Sequence, residues 1–359
     1  MSGQTGAINF SELNGAIDPV SAVAAKAATN KWNSVAKPIG ALGELEDLIV
    51  RIAAITGTSN VDIGKRVVIP MCADNGIVEE GVTQSEQEVT ALIAENMAKG
   101  VSSVCVMAKT AGIDVVPVDV GIYRSVANPN LVDMNVMRST NNFAKGPAMT
   151  VEQACAGIQA GIDIAARASK QGYNLIVTGE MGIGNTSTSS ALAAVLLGLD
   201  VEQVTGKGSG LSSAGLQRKL AAIKRGIQIN NPNSADPLDC LAKVGGLDIA
   251  GMVGIYLGGA LCHVPVLIDG LISAIAALIA ARLCPACKDY MIATHVSAEP
   301  AAIMILDELG LHAPISAGLR LGEGTGAVCL IPLLDMALAL YNGTSFEDTG
   351  MDAYEVDLK

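Results

Sequence analysis

With 359 residues, half of them hydrophobic, the chain can bury a core large enough for one big domain plus a smaller one, which excludes a disordered or fibrous protein. Its 35 acidic residues against 23 basic ones give a formal net charge of -12, which repels phosphate backbones and anionic membrane surfaces. Neither nucleic acid nor membrane is expected as a partner, and an anionic small molecule would have to be held by local backbone N–H groups and a few selected cations.

Residues 1–30 lack a basic region followed by an apolar one, so no secretory signal is expected and the protein reads as cytoplasmic. The first 60 residues are helical in pattern and carry Trp32, the only tryptophan. They are interrupted by Lys37-Pro38-Ile39-Gly40-Ala41-Leu42-Gly43, where a proline and two glycines break the helix before Glu44 restarts it. Four short β-branched runs follow at 67–72, 114–120, 174–178 and 264–268, separated by Ala-rich stretches of helical composition. This alternation predicts an α/β fold, a mostly parallel sheet flanked by helices in a Rossmann-like large domain. With 39 glycines and few aromatics, the composition suits close packing of helices on such a sheet. The expected division is a large α/β catalytic domain over 61–329 and a small helical domain from 1–60 plus 330–359.

The most apolar stretch, 249–281, is interrupted by His263, Pro265 and Asp269, so it does not read as a membrane span. Eight cysteines lie scattered in apolar surroundings and are expected to be reduced and buried. Cys284-Pro285-Ala286-Cys287 is a single C-x-x-C at the end of an apolar helical pattern, with no second pair or nearby histidine, and reads as structural. The chain closes on an acidic tail.

In a parallel α/β sheet, ligands bind beyond the carboxyl ends of the strands, so the loops there are where chemistry is expected. The first loop, Gly179-Glu180-Met181-Gly182-Ile183-Gly184-Asn185-Thr186-Ser187, plants a carboxylate among glycines ahead of a helix. The glycines admit close approach of a ligand, and Thr and Ser are expected to cap the helix whose first N–H groups offer an anion site. Its spacing is neither a dinucleotide fingerprint nor a P-loop. A second loop, Gly206-Lys207-Gly208-Ser209-Gly210-Leu211, leads to a helix bearing Arg218 and Lys219 and suggests a phosphate clamp in a chain short of cations. A third, Thr294-His295-Val296-Ser297-Ala298-Glu299, holds one of three histidines. His295 reads more readily as a loop-bonded side chain than as a base. In the fourth, Arg320-Leu321-Gly322-Glu323-Gly324-Thr325-Gly326-Ala327, Glu323 stands among small residues that strip its hydration and raise its pKa toward the range of a general base.

Together these segments resemble one family over nearly the whole chain, the nicotinate-nucleotide:dimethylbenzimidazole phosphoribosyltransferases of cobamide assembly. Residues 37–46 are similar to its K-P-x-G-S-L-G-x-L-E pattern, with Ala41 in place of Ser. Residues 179–186, 245–252, 297–299 and 320–327 and the strand-end Asp269 match further motifs. The resemblance implies transfer of ribose 5-phosphate from nicotinate mononucleotide to a ring nitrogen of a benzimidazole, without metal or other cofactor. By the same resemblance Glu323 is the catalytic base, and Glu180 stabilises positive charge developing on the ribose. Gly182, Gly184, Asn185, Thr186, Gly208, Ser209, Gly210, Lys219 and Ser297 would grip the phosphate. Asp269, Gly322 and Thr325 would line the nucleotide pocket, and Ser85 would lie beside the base. The family's dimer is implied too, with active sites near the subunit interface.

Two positions depart from the family pattern. Asn75 stands where members commonly have His, and Ile93 where they have a Gln near the base. Losing a polar group there leaves a more apolar pocket. A related group attaches phenol or p-cresol through oxygen and works as a pair of similar, non-identical chains, so the partner is either a second copy or a similar chain. Two rival readings are weaker. A nucleotide-binding oxidoreductase is disfavoured by the missing G-x-G-x-x-G. A non-catalytic nucleotide-binding paralogue is disfavoured by the retention of both Glu180 and Glu323.

Overall fold

A computed structural model describes residues 8–208, 210–352 and 354. Seven parallel strands form one sheet: β1 (Arg66–Ala73), β2 (Asp114–Val115), β3 (Val118–Gly121), β4 (Val132–Asp133), β5 (Leu175–Met181), β6 (Val266–Ile268) and β7 (Met291–Ala293). Their order is β4-β3-β1-β5-β6-β7, with β2 beside the start of β1. The central pair, β1 and β5, is buried along nearly its full length, as expected of strands covered on both faces by helices. The predicted α/β layering is therefore the observed one.

The differences from the sequence reading have local causes. The run 114–120 is two strands, because Pro117 has no N–H to give to the ladder. The run 264–268 pairs only from Val266, immediately after Pro265. Strand β4 is two residues long, too short for an alternation to register. Glu180 is not in a loop but on β5, one residue before its end.

Glycine makes the packing of one helix pair possible. Helix Val151–Lys170 lies against helix Leu247–Leu261, which is buried from end to end apart from its final residue. A methyl added at Gly161 would run into the Gly251 carbonyl oxygen and stand 2.7 Å from the Gly254 Cα, and one at Gly254 would meet Gly161 in the same way. Only bare backbones fit at this crossing.

The helices Ala22–Ser34 and Glu44–Thr56 pack beside the last long helix, Thr325–Tyr341, whereas Phe10–Ala16 lies against residues 284–290, where Cys284 donates to the Phe10 carbonyl and the Ala286 N–H to the Asn14 side chain. Trp32 meets Tyr341 edge-on at 4.9 Å between ring centroids, and the Tyr341 hydroxyl donates to the Ser59 carbonyl at 2.8 Å. The Lys37 ammonium is buried at 2.7 Å from Glu46 and lies over the Trp32 ring, so the broken helix is latched shut by an ion pair. These residues belong to the same hydrophobic core as the sheet. Cys284 and Cys287 are buried free thiols in this core, and among the described residues no helix is long and apolar enough to cross a membrane.

In an open helix interior, Gly→Ala stabilises by about 1 kcal/mol. At Gly161 we expect the opposite sign, a loss of roughly 1–3 kcal/mol from overpacking, read as a lower midpoint in chemical denaturation.

Candidate active site

Strands β5, β6 and β7 end on the same edge of the sheet, and the segments after them enclose a cavity of about 280 Å³. Glu180, Gly182, Gly184, Asn185 and Thr186 line it from the β5 side, Asp269 from the end of β6 and Ser297 from beyond β7. Gly208 and the stretch Gly322, Glu323 and Thr325 complete the wall. Five segments far apart in sequence thus meet in one place.

The Glu323 loop is strained and heavily restrained. Gly322, Glu323 and Gly324 have φ of 88°, 63° and 93°, three successive left-handed residues, of which Glu323 carries a side chain that ordinarily avoids this region. What holds it is Asp269, whose two carboxylate oxygens accept from the backbone N–H of Gly324 at 3.1 Å and of Ala327 at 2.9 Å. Asp269 thereby serves as the cap of helix Thr325–Tyr341 from another strand's end, at the positive end of the helix dipole. Thr325 donates its hydroxyl to the Gly322 carbonyl at 2.7 Å. Gly179 on β5 lets the loop's backbone approach, since a methyl there would stand 2.6 Å from the Glu323 carbonyl oxygen.

The Glu323 carboxylate is half-buried and accepts from the Val104 N–H at 3.1 Å, in the first turn of helix Ser103–Ala111, and from the Ser102 hydroxyl. Burial raises its pKa, and these two hydrogen bonds oppose the rise. A carboxyl raised but still hydrogen-bonded suits a proton acceptor near neutral pH.

Glu180 is more extreme. It is 8% exposed, and burial, reinforced by the neighbouring Asp248 carboxylate, pushes its pKa up to about 8. The Asn185 side-chain amide donates to it, and the Glu323 backbone N–H lies close enough to oppose the rise. Before substrate binds, Glu180 is therefore mostly protonated at neutral pH, which differs from the free carboxylate expected from its sequence setting.

The polar grip is built from backbone and one cation. Helix Asn185–Leu197 begins after Gly184 at φ 96° with no side-chain cap, so Thr and Ser do not cap it as expected. Thr188 instead donates to the Asn185 carbonyl at 2.8 Å. The N–H groups of Asn185 and Ser187 are spent on the Gly182 and Gly184 carbonyls at 3.1 and 2.9 Å, and among the described residues those of Gly184 and Thr186 have no partner, which leaves them for a ligand. Behind them Lys219 is fully buried, donating to Thr186 Oγ1 at 2.9 Å and to the Gly206 carbonyl at 3.2 Å. Burial pulls its pKa down to about 8. A buried ammonium whose hydrogen-bond partners are neutral is poised to gain from an incoming anion.

Some expected residues stand aside. Ser85 does not line the cavity; Thr83, two residues earlier, does, as does Ile93. Gly210 is also off the wall, its carbonyl taken by the Gln84 side chain, and Ser209 lies outside the described residues. His295 is buried on the wall, within 3.2 Å of Thr294 Oγ1, and burial lowers its pKa so that it stays neutral.

Two residues were missed by sequence reasoning. Glu299 lines the cavity with one buried oxygen lacking a partner, although its segment had drawn notice. Asp248 is fully buried and shares the Asn185 amide nitrogen at 3.0 Å. Its signal was available, since it is the only charged residue in the apolar run 247–261.

A family model described as phosphoribosyltransferase matches residues 17–351. The nicotinate-nucleotide–dimethylbenzimidazole phosphoribosyltransferase of Acetivibrio thermocellus is 43% identical over 326 residues, 90% of this chain and 93% of the relative. The enzyme of the same name from Ruminiclostridium cellulolyticum is 41% identical over 350 residues, 97% of this chain and 99% of the relative. The crystal structure of CobT from Thermus thermophilus superposes with a TM-score of 0.87 at 36% identity, covering 92% of this chain and 99% of that one. The chain belongs to the nicotinate-nucleotide–dimethylbenzimidazole phosphoribosyltransferase family.

Proposed function

We propose that the protein transfers the 5-phosphoribosyl group of nicotinate mononucleotide to a ring nitrogen of a lower-ligand base such as 5,6-dimethylbenzimidazole, in the cytoplasm, as a step of cobamide assembly. The observation that carries this reading is the meeting of Glu323 and Glu180 over one cavity whose far wall is the amide-bearing turn backed by Lys219. Phosphate on the N–H groups of Gly184 and Thr186 and on the Lys219 ammonium would fix the nucleotide's position. As the bond from ribose C1′ to the pyridinium nitrogen breaks, its electron pair returns to the ring and nicotinate leaves. The base nitrogen forms the new bond to C1′, and Glu323 takes the proton that this nitrogen sheds, giving α-ribazole phosphate. Glu180, ionised once the nucleotide's pyridinium ring is beside it, would stabilise charge on the ribose. Thr325, Gly322 and Asp269 hold the loop in this reading, and Ser297 completes the phosphate side.

One observation favours a second acceptor. Ile93 on the cavity wall provides an apolar surface where a hydrogen bond to a second ring nitrogen would need a polar group. A phenol or p-cresol, attached through oxygen and needing no second polar contact, fits that wall. Leu92, Val101, Val106 and Leu321 are exposed apolar residues near Ile93, Ser102 and Gly322 in the chain, which supports a partner subunit, a second copy or a similar chain, over this face. We assign 1–60 with 330–359 as the helical domain that braces the catalytic domain 61–329.

Nicotinate release from nicotinate mononucleotide with a panel of benzimidazoles and phenols tests the activity, and no release with any of them would overturn it. Glu323→Gln should lower kcat by about 10²- to 10⁴-fold while leaving the nucleotide KM nearly unchanged, as for removal of a general base. Lys219→Met should instead raise that KM by roughly 10- to 100-fold, the loss of a charge-assisted hydrogen bond. Because the Lys219 pKa is lowered to about 8, its ammonium is lost as pH rises through that value. The nucleotide kcat/KM of the native enzyme should therefore fall above about pH 8, and Lys219→Met should abolish that fall.

A further inference from the structure

Beneath the cavity two carboxyls converge on one side-chain amide, whose two N–H groups serve one each. The Asn185 Nδ2 donates both to Glu180 and, at 3.0 Å, to Asp248 Oδ2, and all three side chains are buried. Asp248 belongs to the first turn of helix Leu247–Leu261, where its other oxygen accepts from the Ile249 N–H at 3.0 Å. The place is closed by backbone. A methyl on Gly182 would stand 2.5 Å from the Ala73 carbonyl and 2.6 Å from Asp248 Oδ2, so no water-sized gap separates the acid from the turn. Asn75 lies against Asp248 close enough to favour its ionised form, yet neither polar atom of its amide makes a well-formed hydrogen bond. Among the described residues, no positive side chain enters this arrangement.

The groups facing the pair are acids or neutral donors. Asp269 approaches Glu180 from the end of β6, with neutral His295 beyond it, and the Cys72 thiol, held protonated by burial, faces both carboxyls from β1. The Glu323 backbone N–H is the remaining donor near Glu180, and Lys219 answers to Glu299 instead. Two ionised carboxylates joined by one amide nitrogen repel each other in a medium of low dielectric, so one of them keeps its proton. Asp248, fully buried but accepting from the Ile249 N–H as well as from Asn185, is the better hydrogen-bonded partner and carries the charge.

We propose that Asp248 is a positioning residue that keeps the Glu180 carboxyl protonated until the pyridinium ring of the nucleotide arrives beside it, by sharing with it the single amide nitrogen of Asn185 and pressing a second carboxyl against it. The gain is electrostatic. A nucleotide brings a phosphate dianion into a cavity walled by Glu180, Asp269, Glu299 and Glu323, and a neutral Glu180 removes one repulsion from that entry. The pyridinium then reaches Glu180, and its local positive charge favours the ionised carboxyl, whose proton passes to solvent water, leaving a carboxylate where the ribose needs one. This rests on the reading of Glu180 at the transfer centre, but its test does not require turnover.

The experiment is an infrared titration of the full-length enzyme without substrate, following the C=O stretch of a neutral carboxylic acid and assigning it by its loss in Glu180→Gln. In the native protein the band should be present at neutral pH and disappear on adding nicotinate mononucleotide without any acceptor base. In Asp248→Asn its midpoint should fall by at least about one pH unit, a roughly tenfold change in ionisation. In Asn185→Ala, which removes the shared donor but leaves both carboxyls, the midpoint should rise. The opposite signs separate electrostatic coupling from general loosening of the fold, and either variant alone is decisive should the other fail to fold. A band that survives Glu180→Gln, a midpoint unmoved by Asp248→Asn or moved in the wrong direction by Asn185→Ala, or a band that persists with nucleotide bound would overturn the proposal. Failure of every base to release nicotinate would sink the transferase reading while leaving these spectra as they are.

Discussion

The site depends on one carboxylate that does no chemistry. Asp269 ties the amides of Gly324 and Ala327 to the end of β6, the pair of bonds that anchors three successive left-handed residues to the sheet. Strain of this kind persists only where the surroundings over-determine it, and here the fixed partner is a strand end of the central sheet. The consequence runs outward. The restrained loop sends the Glu323 side chain toward the start of helix Ser103–Ala111 and its main-chain N–H toward Glu180, so one loop sets the geometry of both glutamates.

The electrostatics follow from the same economy of cations. A chain with net charge -12 assembles a phosphate site by leaving two backbone N–H groups unspent at a glycine-started helix and by burying a single lysine behind them. Around that site it collects carboxyls, and burial pushes the pKa values of Glu180 and Glu323 in the same upward direction for different ends. Glu323 retains donors that keep it available as a base. Glu180, crowded by Asp248, holds its proton until charge arrives.

Much of this was legible in the sequence because the fold's period and the site's glycines leave local marks. Alternating β-branched and Ala-rich runs pointed to the parallel sheet, and its strand ends pointed to loops that line the cavity. Glu180, Glu323 and Lys219 stand out in the sequence because a charge among glycines, or in a chain short of cations, is conspicuous. What stayed hidden was relational. Nothing near Asp269 in sequence says that its oxygens are spent on the distant amides of Gly324 and Ala327, and nothing near Glu180 says that Asp248 shares its donor. Ser85 was placed at the base by resemblance, whereas Thr83 reaches the cavity, a difference set in an irregular turn that no periodicity governs. The strands β2 and β3 read as one run because a proline interrupts a ladder without interrupting a hydrophobic pattern.

The central claim is geometric: one nucleotide sits with its phosphate on the glycine-started helix and its C1′ between two glutamates. A crystal structure of the Glu323→Gln protein soaked with nicotinate mononucleotide tests it most directly. The phosphate should lie within hydrogen-bond reach of the Thr186 N–H and the Lys219 ammonium, with C1′ facing position 323 on one side and Glu180 on the other. A nucleotide bound with its phosphate elsewhere, or with C1′ remote from position 323, would contradict the claim.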